Sequence, residues 1–183
     1  MKRAILITGA TDGIGKELVK TAAQKGFEIT AHGRNDKKLA LLRDEILSQN
    51  SDAVMHLLKA DYTNLSQTAE TFKNYKKEHG MPDVLINNAG LISDKKVLTK
   101  DNFELTFQVN HLAPFLITYI LAEGCSFDKR HRIINVSSMI HASEIDFGNL
   151  NAEKYFTPQQ SYGLSKLCNI LFTHKLNRRY ENT

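Results

Sequence analysis

A glycine-rich turn near the start of the chain constrains the fold more than any other feature. The apolar run Ala4–Ile7 predicts a short β-strand, and residues 14–24 have the apolar spacing that indicates a helix. The two are joined by Thr8-Gly9-Ala10-Thr11-Asp12-Gly13. Glycines in such a turn let the backbone approach a phosphate, and the helix N-terminus adds N–H donors and positive potential. The turn therefore predicts a dinucleotide site, although glycine clusters also occur in turns that bind nothing.

The rest of the chain continues this alternation of strand and helix. Further strands are predicted at 27–32, 53–59, 84–87 and 133–137, and further helices at 36–48, 65–78, 102–122 and 159–180. Pro114 predicts a kink or break in the fourth helix, and the polar stretch 143–160 is predicted to be a loop. The alternation predicts an α/β fold whose parallel sheet is built from βαβ units.

Composition narrows the class of protein. The chain has 183 residues, of which 42% are hydrophobic and 24% charged, so we expect one globular domain. Its net charge of +4 is spread along the sequence, which argues against nucleic-acid binding and suits a small anionic ligand. There are two cysteines, no room for a signal peptide and no apolar run of about 20 residues. We therefore expect a cytoplasmic protein without a membrane span or a metal site.

Tyr162 and Lys166 form a Tyr-x-x-x-Lys pair inside the last predicted helix. Side chains one turn apart share a helix face, so the phenol and the ammonium can point into one pocket. A nearby cation favours the phenolate, which makes a tyrosine usable as a general acid or base. Alone, the same spacing is also common on solvated helix surfaces.

Taken in chain order, these motifs resemble those of the short-chain dehydrogenase/reductase family. The matching positions are Gly9, Gly13 and Gly15, Asp61, the run Asn87-Asn88-Ala89-Gly90, then Asn110, Ser138, Tyr162 and Lys166. The segments around Asn110, Ser138 and Lys166 most resemble the retinol-dehydrogenase-like and WW-domain-oxidoreductase-like branch. The resemblance implies a single NAD(P)-binding domain over 1–183. It also implies a Rossmann-type doubly wound parallel sheet of strand order 3-2-1-4-5, with helices on both faces.

The resemblance also implies where a cofactor would bind. The implied positions are Gly9, Thr11, Asp12, Gly13, Ile14 and Gly15 in the turn, Asp61 for the adenine, Asn87, Ala89 and Gly90 for the floor, and Tyr162 and Lys166. After the second strand, an acid would bind the ribose hydroxyls of NAD, whereas an arginine would pair with the extra phosphate of NADP. Gly33 stands at the acid's place and Arg34 follows, so we predict NADP over NAD. The alternatives are that Arg34 is a solvated turn residue and that Asp36 and Asp61 cap the next helices.

The family resemblance assigns a role to each catalytic group. Ser138 would hydrogen-bond a substrate carbonyl, Tyr162 would exchange a proton with the same oxygen, and Lys166 would support the tyrosine and hold the nicotinamide ribose. Asn110 would anchor a water that joins Lys166 to solvent. Ser137 competes for the serine role, but Ser138 matches the family position. His111 and His141 lack partners at metal-ligand spacing, so we expect structural roles for them.

The segment between Ser138 and Tyr162 carries several apolar residues, which favours an apolar alcohol, aldehyde or ketone as substrate. Family members usually continue with two more strands and a substrate-binding loop, which this sequence lacks. A fifth strand left uncovered at the edge of the sheet would be prone to pair or aggregate with other chains unless another chain covers it. We also expect turnover to be weak without the missing parts. The alternative function is therefore a catalytically weak or silent dinucleotide-binding module that acts through oligomerisation or cofactor sensing.

A homodimer through the helices at 102–122 and 159–180 is expected from the family. The residues that could form its surface are Leu164, Leu167, Leu171 and Leu176, with Ile117 and Leu121. The same spacing fits a stripe that faces the core of the protein, so both interpretations stay open.

Overall fold

The computed structural model describes residues 2–126 and 131–180 and contains a five-stranded parallel sheet flanked by helices. The strands follow the order β3-β2-β1-β4-β5, as expected from the resemblance. In chain order the elements are β1 (Ala4–Ile7), α1 (Gly13–Gln24), β2 (Glu28–Gly33), α2 (Asp36–Gln49), β3 (Val54–Lys59), α3 (Leu65–His79), β4 (Val84–Asn87), α4 (Leu105–Phe107), a π-helical segment (Gln108–Leu112), α5 (Ala113–Ala122), β5 (Arg132–Asn135) and α6 (Pro158–Tyr180).

Alternating residues of the central strand serve the two faces of the sheet. Ile5 and Ile7 of β1 pack on a core formed with α1 and α2, which includes Val19 and Leu39. Leu6 points the other way, into a second core with α3 and α5 that includes Phe72, Leu85 and Ile117. Because successive strand residues face opposite sides, one short strand supports both helical layers. The α/β fold predicted from the sequence pattern and the doubly wound sheet implied by the family resemblance are both confirmed.

The chain reverses its winding direction at β1, which lies between β2 and β4. In open parallel sheets of this kind, ligands bind beyond the carboxyl ends of the strands where the strand order reverses. The glycine-rich turn follows β1 at this edge, and Asn88 follows β4 beside it. The fold therefore brings the predicted dinucleotide turn and the asparagine motif to one place.

Two helix caps differ from the sequence-based alternatives. Asn35 caps α2 by accepting a hydrogen bond from the N–H of Lys38 at 3.1 Å, so the expectation that Asp36 is the cap was wrong. Asn64 caps α3 by accepting from Gln67 N at 3.0 Å, so the alternative role of Asp61 as that cap was also wrong. The asparagines directly precede the first helical residue in extended backbone, where a short side chain reaches the third N–H group.

The fourth predicted helix begins later than expected and is irregular. Asn102 has a φ of +62°, which is left-handed backbone, and the helix begins only at Leu105 after Glu104. A π-helical segment then precedes Pro114. Proline has no N–H, so the carbonyl of Asn110 loses its α-helical donor. The side-chain amide of Asn169 on α6 donates to that carbonyl at 2.9 Å instead.

Burial separates the two interpretations of the helix stripe. Ile117 and Leu121 are fully buried in the core, so the core-facing alternative is right for these two residues. Leu171, by contrast, is exposed on α6, as are Phe115 and Tyr119 on α5.

Within the described ranges, one stretch, Leu105–Ala122, is long and apolar enough to cross a membrane, but 67% of it is buried inside the protein. Core helices of globular proteins have the same composition.

Candidate active site

A cleft of about 410 Å³ opens at the carboxyl ends of β1, β2 and β4. Its wall consists of the glycine-rich turn, the end of β2, the segment after β3 and the asparagine motif after β4. The lining residues are Gly9, Thr11, Asp12, Gly13, Ile14, His32, Gly33, Arg34, Ala60, Asp61, Tyr62, Thr63, Asn88, Ala89, Gly90, Leu91 and Val109. Most of the cofactor positions expected from the sequence therefore meet in one crevice.

The glycines of the turn have different tasks. A Cβ atom on Gly9, which has a φ of +64°, would lie 2.7 Å from the Cα of Ala89. One on Gly15 would lie 2.1 Å from the carbonyl oxygen of Gly9, beneath the turn and outside the cleft wall. Gly13 has a φ of +51° and meets no atom within 4 Å. Gly9 and Gly15 thus allow the chain segments to pack closely, whereas Gly13 leaves its backbone open to the cleft.

Asp12 precedes α1 without capping it with its side chain. Its carboxylate instead accepts two hydrogen bonds from the Lys38 ammonium, at 3.0 and 2.9 Å. The hydrogen bond from Lys38 lowers the pKa of Asp12 below its ordinary value. The first N–H groups of α1 are therefore not covered by that side chain, and the negative charge beside them is offset. Both features favour an anion at the helix N-terminus.

Arg34 lies at the rim of the cleft, exposed to solvent. Across the described part of the chain, it forms no ion pair with an acidic side chain. The neighbouring Gly33 is buried, and a Cβ there would lie 2.9 Å from Thr11 Cγ2 and 3.3 Å from Leu39 Cδ2. An acidic side chain at position 33 would therefore need its neighbours to shift, which fits the absence of an acid at this place.

His32, which the sequence-based interpretation did not single out, lies fully buried behind the cleft. Its Nδ1 accepts the N–H of Gly9 at 3.4 Å, and its Nε2 lies 3.2 Å from the carbonyl oxygen of Ala60. A backbone N–H can only donate and a carbonyl can only accept, so this geometry requires a neutral ring with the proton on Nε2. Burial lowers the pKa of His32 to about 4. The ring also stacks on Tyr62, with 4.6 Å between the ring centroids.

Thr8 and Asn88 fasten the glycine-rich turn to the motif after β4. The Thr8 hydroxyl accepts the N–H groups of Asn88 and Ala89, both at 3.0 Å. The Asn88 side chain donates to the carbonyls of Thr8 and Gly9, at 2.9 and 3.2 Å. Asn88 therefore holds the wall of the cleft together.

Asn87, expected in the cofactor floor, instead faces α5 and β5, where its amide donates to Thr118 at 2.9 Å and to Asn135 at 2.7 Å.

Lys166 and Tyr162 lie together on α6, next to the end of the cleft. The Lys166 Nζ is 5.4 Å from the centre of the Tyr162 ring and donates to the carbonyl of Val136 at 2.9 Å. A Cβ on Gly90, at the cleft wall, would lie 3.8 Å from the same Nζ. Lys166 is buried, and burial lowers the pKa of its ammonium. The structure thus places a largely desolvated ammonium close to both the Tyr162 ring and Gly90 at the cleft wall.

Asn110 lies in the π-helical segment and is almost completely buried. Its side chain accepts the N–H of Leu91 at 2.8 Å and donates to the Leu91 carbonyl at 2.9 Å. Its amide also lies 3.2 Å from the hydroxyl of Ser165, one residue before Lys166. A Cβ on Gly90 would lie 3.3 Å from the Asn110 Oδ1. Asn110 therefore connects the cleft floor to the helix that carries Tyr162 and Lys166.

The two serines after β5 have different partners. Ser137 donates its hydroxyl to the carbonyl oxygen of Lys166 at 2.8 Å, which joins the strand end to α6. Ser138 accepts the N–H of Ile140 at 3.1 Å, and this bond leaves its own hydroxyl proton for another acceptor. The loop that follows reaches α6 where Ala142 N donates to Gly163 O at 3.0 Å, next to Tyr162. Ser138 is thus the serine whose hydroxyl can still serve a substrate.

A family profile described as short chain dehydrogenase matches residues 3–183. The chain belongs to the short-chain dehydrogenase family. Human retinol dehydrogenase 11 is 36% identical over 182 residues, which are 99% of this chain and 57% of that protein. Retinol dehydrogenase 12 from Mus musculus is 33% identical over 182 residues, which are 99% of this chain and 58% of that protein. The chain therefore spans somewhat more than half the length of these relatives.

Solved structures share the fold. An uncharacterized protein from Mycobacterium Paratuberculosis superposes with a TM-score of 0.80 at 31% identity, over 98% of this chain and 63% of the other. A short-chain dehydrogenase from Sphingobium yanoikuyae, solved in complex with NADPH, superposes with a TM-score of 0.74 at 22% identity, over 98% and 66% of the two chains. The likeness to retinol dehydrogenases agrees with the branch named from the sequence.

His111 and His141, the two histidines considered in the sequence analysis, have protein partners in this short-chain dehydrogenase. His111 Nδ1 lies 3.0 Å from the side-chain oxygen of Asn169, and burial lowers the pKa of His111. His141 Nδ1 lies 2.8 Å from the carbonyl of Ala142. Over residues 2–126 and 131–180, no three or more His, Cys, Asp or Glu side chains are grouped so that they could hold a metal ion.

Proposed function

We propose that this short-chain dehydrogenase interconverts an apolar alcohol with its aldehyde or ketone and uses NADP(H). The observation that carries the proposal is the buried Lys166 ammonium, held 5.4 Å from the Tyr162 ring and beside the glycine-lined cleft. A desolvated cation interacts strongly with a neighbouring phenolate because water does not screen the pair. This arrangement suits a tyrosine that transfers a proton.

The cleft fits a dinucleotide by the chemistry of its wall. Gly13 has open space where a Cβ would lie, and the start of α1 lacks a side-chain cap, which together suit a pyrophosphate. Asp61 accepts both the N–H and the hydroxyl of Thr63, at 3.0 and 2.9 Å, which holds its carboxylate at the wall for an adenine amino group. Gly90, Tyr162 and Lys166 would adjoin the nicotinamide end.

When bound, the dinucleotide supplies or accepts the hydride at the reacting carbon. Tyr162 gives a proton to the carbonyl oxygen in the direction of reduction and removes it from the alcohol in the direction of oxidation. Ser138 donates a hydrogen bond to the same oxygen and orients it. Lys166 stabilises the phenolate that remains after the proton has left. Hydride and proton together balance the conversion of a carbonyl to an alcohol.

NADP is favoured over NAD by the charges at the rim. Arg34 is exposed directly after β2, and Gly33 leaves no space for an acid without movement of Thr11. An arginine can bind a phosphate with two parallel hydrogen bonds, and those bonds are strengthened by charge. The extra phosphate of NADP would therefore gain a contact that NAD cannot make.

An apolar substrate is favoured by the segment that follows Ser138. Met139 and Ile140 directly follow Ser138 in the chain, and both are large apolar side chains exposed to solvent. Exposed apolar residues that cluster beside a site often mark ligand contacts. The names of the retinol dehydrogenases point the same way, because retinol is a long apolar alcohol.

A second candidate is a dinucleotide-binding module with weak or no turnover. The cleft is lined mainly by segments that follow β1 to β4, whereas Ser138, Tyr162 and Lys166 come from the segment after β5 and from α6. Within the described residues, β5 pairs with β4 only. Cofactor binding and catalysis could therefore separate in this chain.

A homodimer belongs to the same proposal. Phe115, Tyr119 and Leu171 are exposed on α5 and α6, and a groove of about 610 Å³ runs between Phe115, Tyr119 and Phe172. Burial of these side chains against a second copy would remove apolar area from water. Light scattering over a concentration series measures the mass directly, and the proposal requires twice 20.7 kDa at high concentration.

Titration with NADPH, followed by the nicotinamide fluorescence, tests the proposed function. We expect saturable binding to the wild type, and oxidation of the bound NADPH when decanal or retinal is added. The Tyr162→Phe variant should still bind NADPH but lose the oxidation step. Binding without oxidation in the wild type would favour the module, and absence of binding would contradict both candidates.

A further inference from the structure

Glu104 is a fully buried carboxylate near the start of the irregular helix. In the parts of the chain that the structure describes, no lysine, arginine or histidine pairs with it. A carboxylate taken out of water without a cation is costly unless its oxygens accept hydrogen bonds. The bonds that it forms therefore indicate why an acid stands at this position.

Those bonds join the starts of two helices. One carboxylate oxygen accepts the N–H of Thr106 at 3.0 Å, and the other accepts the N–H of Phe107 at 2.8 Å, so Glu104 caps the helix that leads to Asn110. The second oxygen also accepts the hydroxyl of Ser161. Ser161 lies in the first turn of α6, directly before Tyr162. One carboxylate thus holds the helix of Asn110 and the helix of Tyr162 together.

The backbone of Glu104 is held from a third direction. Its N–H donates to the side-chain oxygen of Asn151, and the Asn151 amide donates to the carbonyl of Asn102 at 2.9 Å. Asn102 and Ala152 have φ values of +62° and +54°, and they are the only non-glycine residues with positive φ in the described part of the chain. Such conformations cost about 1–3 kcal/mol each and persist where the surroundings impose them. Both lie next to Asn151 or Glu104, which marks this cluster as tightly constrained.

A cap alone would not need a glutamate. Serine, threonine, aspartate and asparagine are the preferred capping residues because their short side chains reach the helix N–H groups. The longer glutamate side chain satisfies the same two N–H groups and also reaches across to Ser161. The additional contact, rather than the cap, is what distinguishes Glu104.

We propose that Glu104 is a positioning residue for Tyr162, acting through the hydroxyl of Ser161. It sets the first turn of α6 relative to the helix of Asn110, and so fixes where the phenol points. The catalytic half of this inference rests on the proposed function, whereas the placement of the Tyr162 ring does not.

Three substitutions separate the hydrogen bond from Ser161 to Glu104, called the tie below, from the helix cap that Glu104 forms. Ser161→Ala removes the hydroxyl but leaves both hydrogen bonds of the Glu104 cap. Ser161→Thr keeps a hydroxyl at the same place and serves as the conservative rescue. Thr71→Ala is the matched control, because Thr71 donates its hydroxyl to Gln67 O at 2.9 Å within α3, away from the cleft. Unfolding in urea is measured for all three, so that loss of stability is separated from loss of position.

The first readout is the NMR signal of the Tyr162 ring in protein whose tyrosine rings carry ¹³C. The signal is assigned by its loss in the Tyr162→Phe variant. We expect Ser161→Ala to shift or broaden this signal, while Ser161→Thr and Thr71→Ala leave it as in the wild type. An unchanged Tyr162 signal in Ser161→Ala would overturn the inference. This readout needs no turnover, so it decides the placement even if the wild type reduces no carbonyl and the proposed function fails.

The second readout is steady-state kinetics with NADPH and decanal. A misplaced acid acts on the transition state more than on binding, so Ser161→Ala should lower kcat roughly tenfold with KM for NADPH unchanged. Ser161→Thr should restore most of that loss. Equal kcat values for Ser161→Ala and Thr71→Ala in an active enzyme would contradict the role of the tie in catalysis.

Discussion

The Nζ of Lys166 donates a hydrogen bond to the carbonyl oxygen of Val136 at 2.9 Å, while it lies 5.4 Å from the centre of the Tyr162 ring. Val136 directly follows β5, so the end of the sheet orients a buried ammonium toward the tyrosine. Burial lowers the pKa of this ammonium, since desolvation disfavours the charged form. The sheet and the helix therefore build the cationic environment of the phenol jointly.

Lys166→Met should remove this environment with little change in side-chain length. We expect kcat for carbonyl reduction to fall by about 10²–10⁴-fold, the range typical of general acid–base groups. Lys73→Met on the exposed surface of α3 is the control and should keep full activity. Steady-state kinetics with NADPH measure both variants, and a Lys166→Met enzyme as active as the control would exclude the role of Lys166.

Arg34→Ser should change cofactor preference. Loss of a charge-assisted contact to the extra phosphate is worth about 1.5–3 kcal/mol, so the Kd for NADPH should rise by roughly 10- to 100-fold while that for NADH stays the same. Arg43→Ser on α2, where Arg43 lies 3.4 Å from Asp44, is the matched control. Fluorescence titration with both cofactors checks the prediction. A parallel loss of NADPH and NADH affinity would show that Arg34 does not read the phosphate.

Gly9→Ala should destabilise the protein and abolish cofactor binding. The new Cβ would lie 2.7 Å from the Ala89 Cα, which is backbone and cannot rotate away, and φ is +64°. Gly26→Ala is the control, because Gly26 has a φ of +73° but no atom within 4 Å of the added Cβ. In the control, the free energy of unfolding should fall by about 1 kcal/mol, the cost of placing alanine in left-handed backbone. In Gly9→Ala it should fall by more, because the clash adds to that cost. Urea unfolding of the two variants compares them, and equal losses would refute the clash.

His32 should make the stability of the protein depend on pH in the acid range. Its pKa is about 4 in the folded protein and 6.5 ordinarily, so the unfolded chain binds more protons between these values. The stabilisation is therefore complete above pH 6.5 and is lost as the pH falls toward 4, in total about 3 kcal/mol.

His32→Asn removes the titrating ring, and the comparison of slopes isolates it from other groups. Urea unfolding is measured at several pH values between about 4 and 7.5. As the pH falls, the free energy of unfolding should decline more steeply for the wild type than for the variant. The largest difference in slope allowed for one proton is about 1.4 kcal/mol per pH unit. Identical slopes would mean that the ring titrates normally in the folded protein.

Sequence patterns identified the strands and most of the helices of this fold, but not the late start and irregular course of the helix predicted at 102–122. The apolar runs of β1 and β4 are short, with residues 5–7 and all of β4 buried, and the glycine-rich turn marks the start of α1, so local sequence and tertiary packing agree. The strand order followed from the family resemblance rather than from the runs themselves. Strand pairing depends on contacts between segments that are distant in sequence, and periodicity does not encode those contacts.

The details that the sequence left open depend on competition between neighbouring residues. Asn35 stands beside Asp36, and either could cap α2, so only the backbone geometry decides between them. Asn87 and Asn88 are adjacent on an extended chain and therefore face opposite ways, which sends Asn87 toward Thr118 and Asn88 toward the glycine-rich turn. The partners of His32, and the Ser161 hydroxyl that Glu104 accepts, lie on other elements, and only the folded chain identifies them.

Transfer of deuterium to decanal from NADPH that carries deuterium at both nicotinamide C4 positions measures the central claim most directly. Mass spectrometry of the decanol formed by the wild type should find one deuterium per molecule. The Tyr162→Phe variant should still bind the same NADPH and form almost no labelled alcohol. Labelled decanol formed equally fast by Tyr162→Phe, or none formed by a wild type that binds NADPH, would contradict the role of Tyr162 beside Lys166 at this cleft.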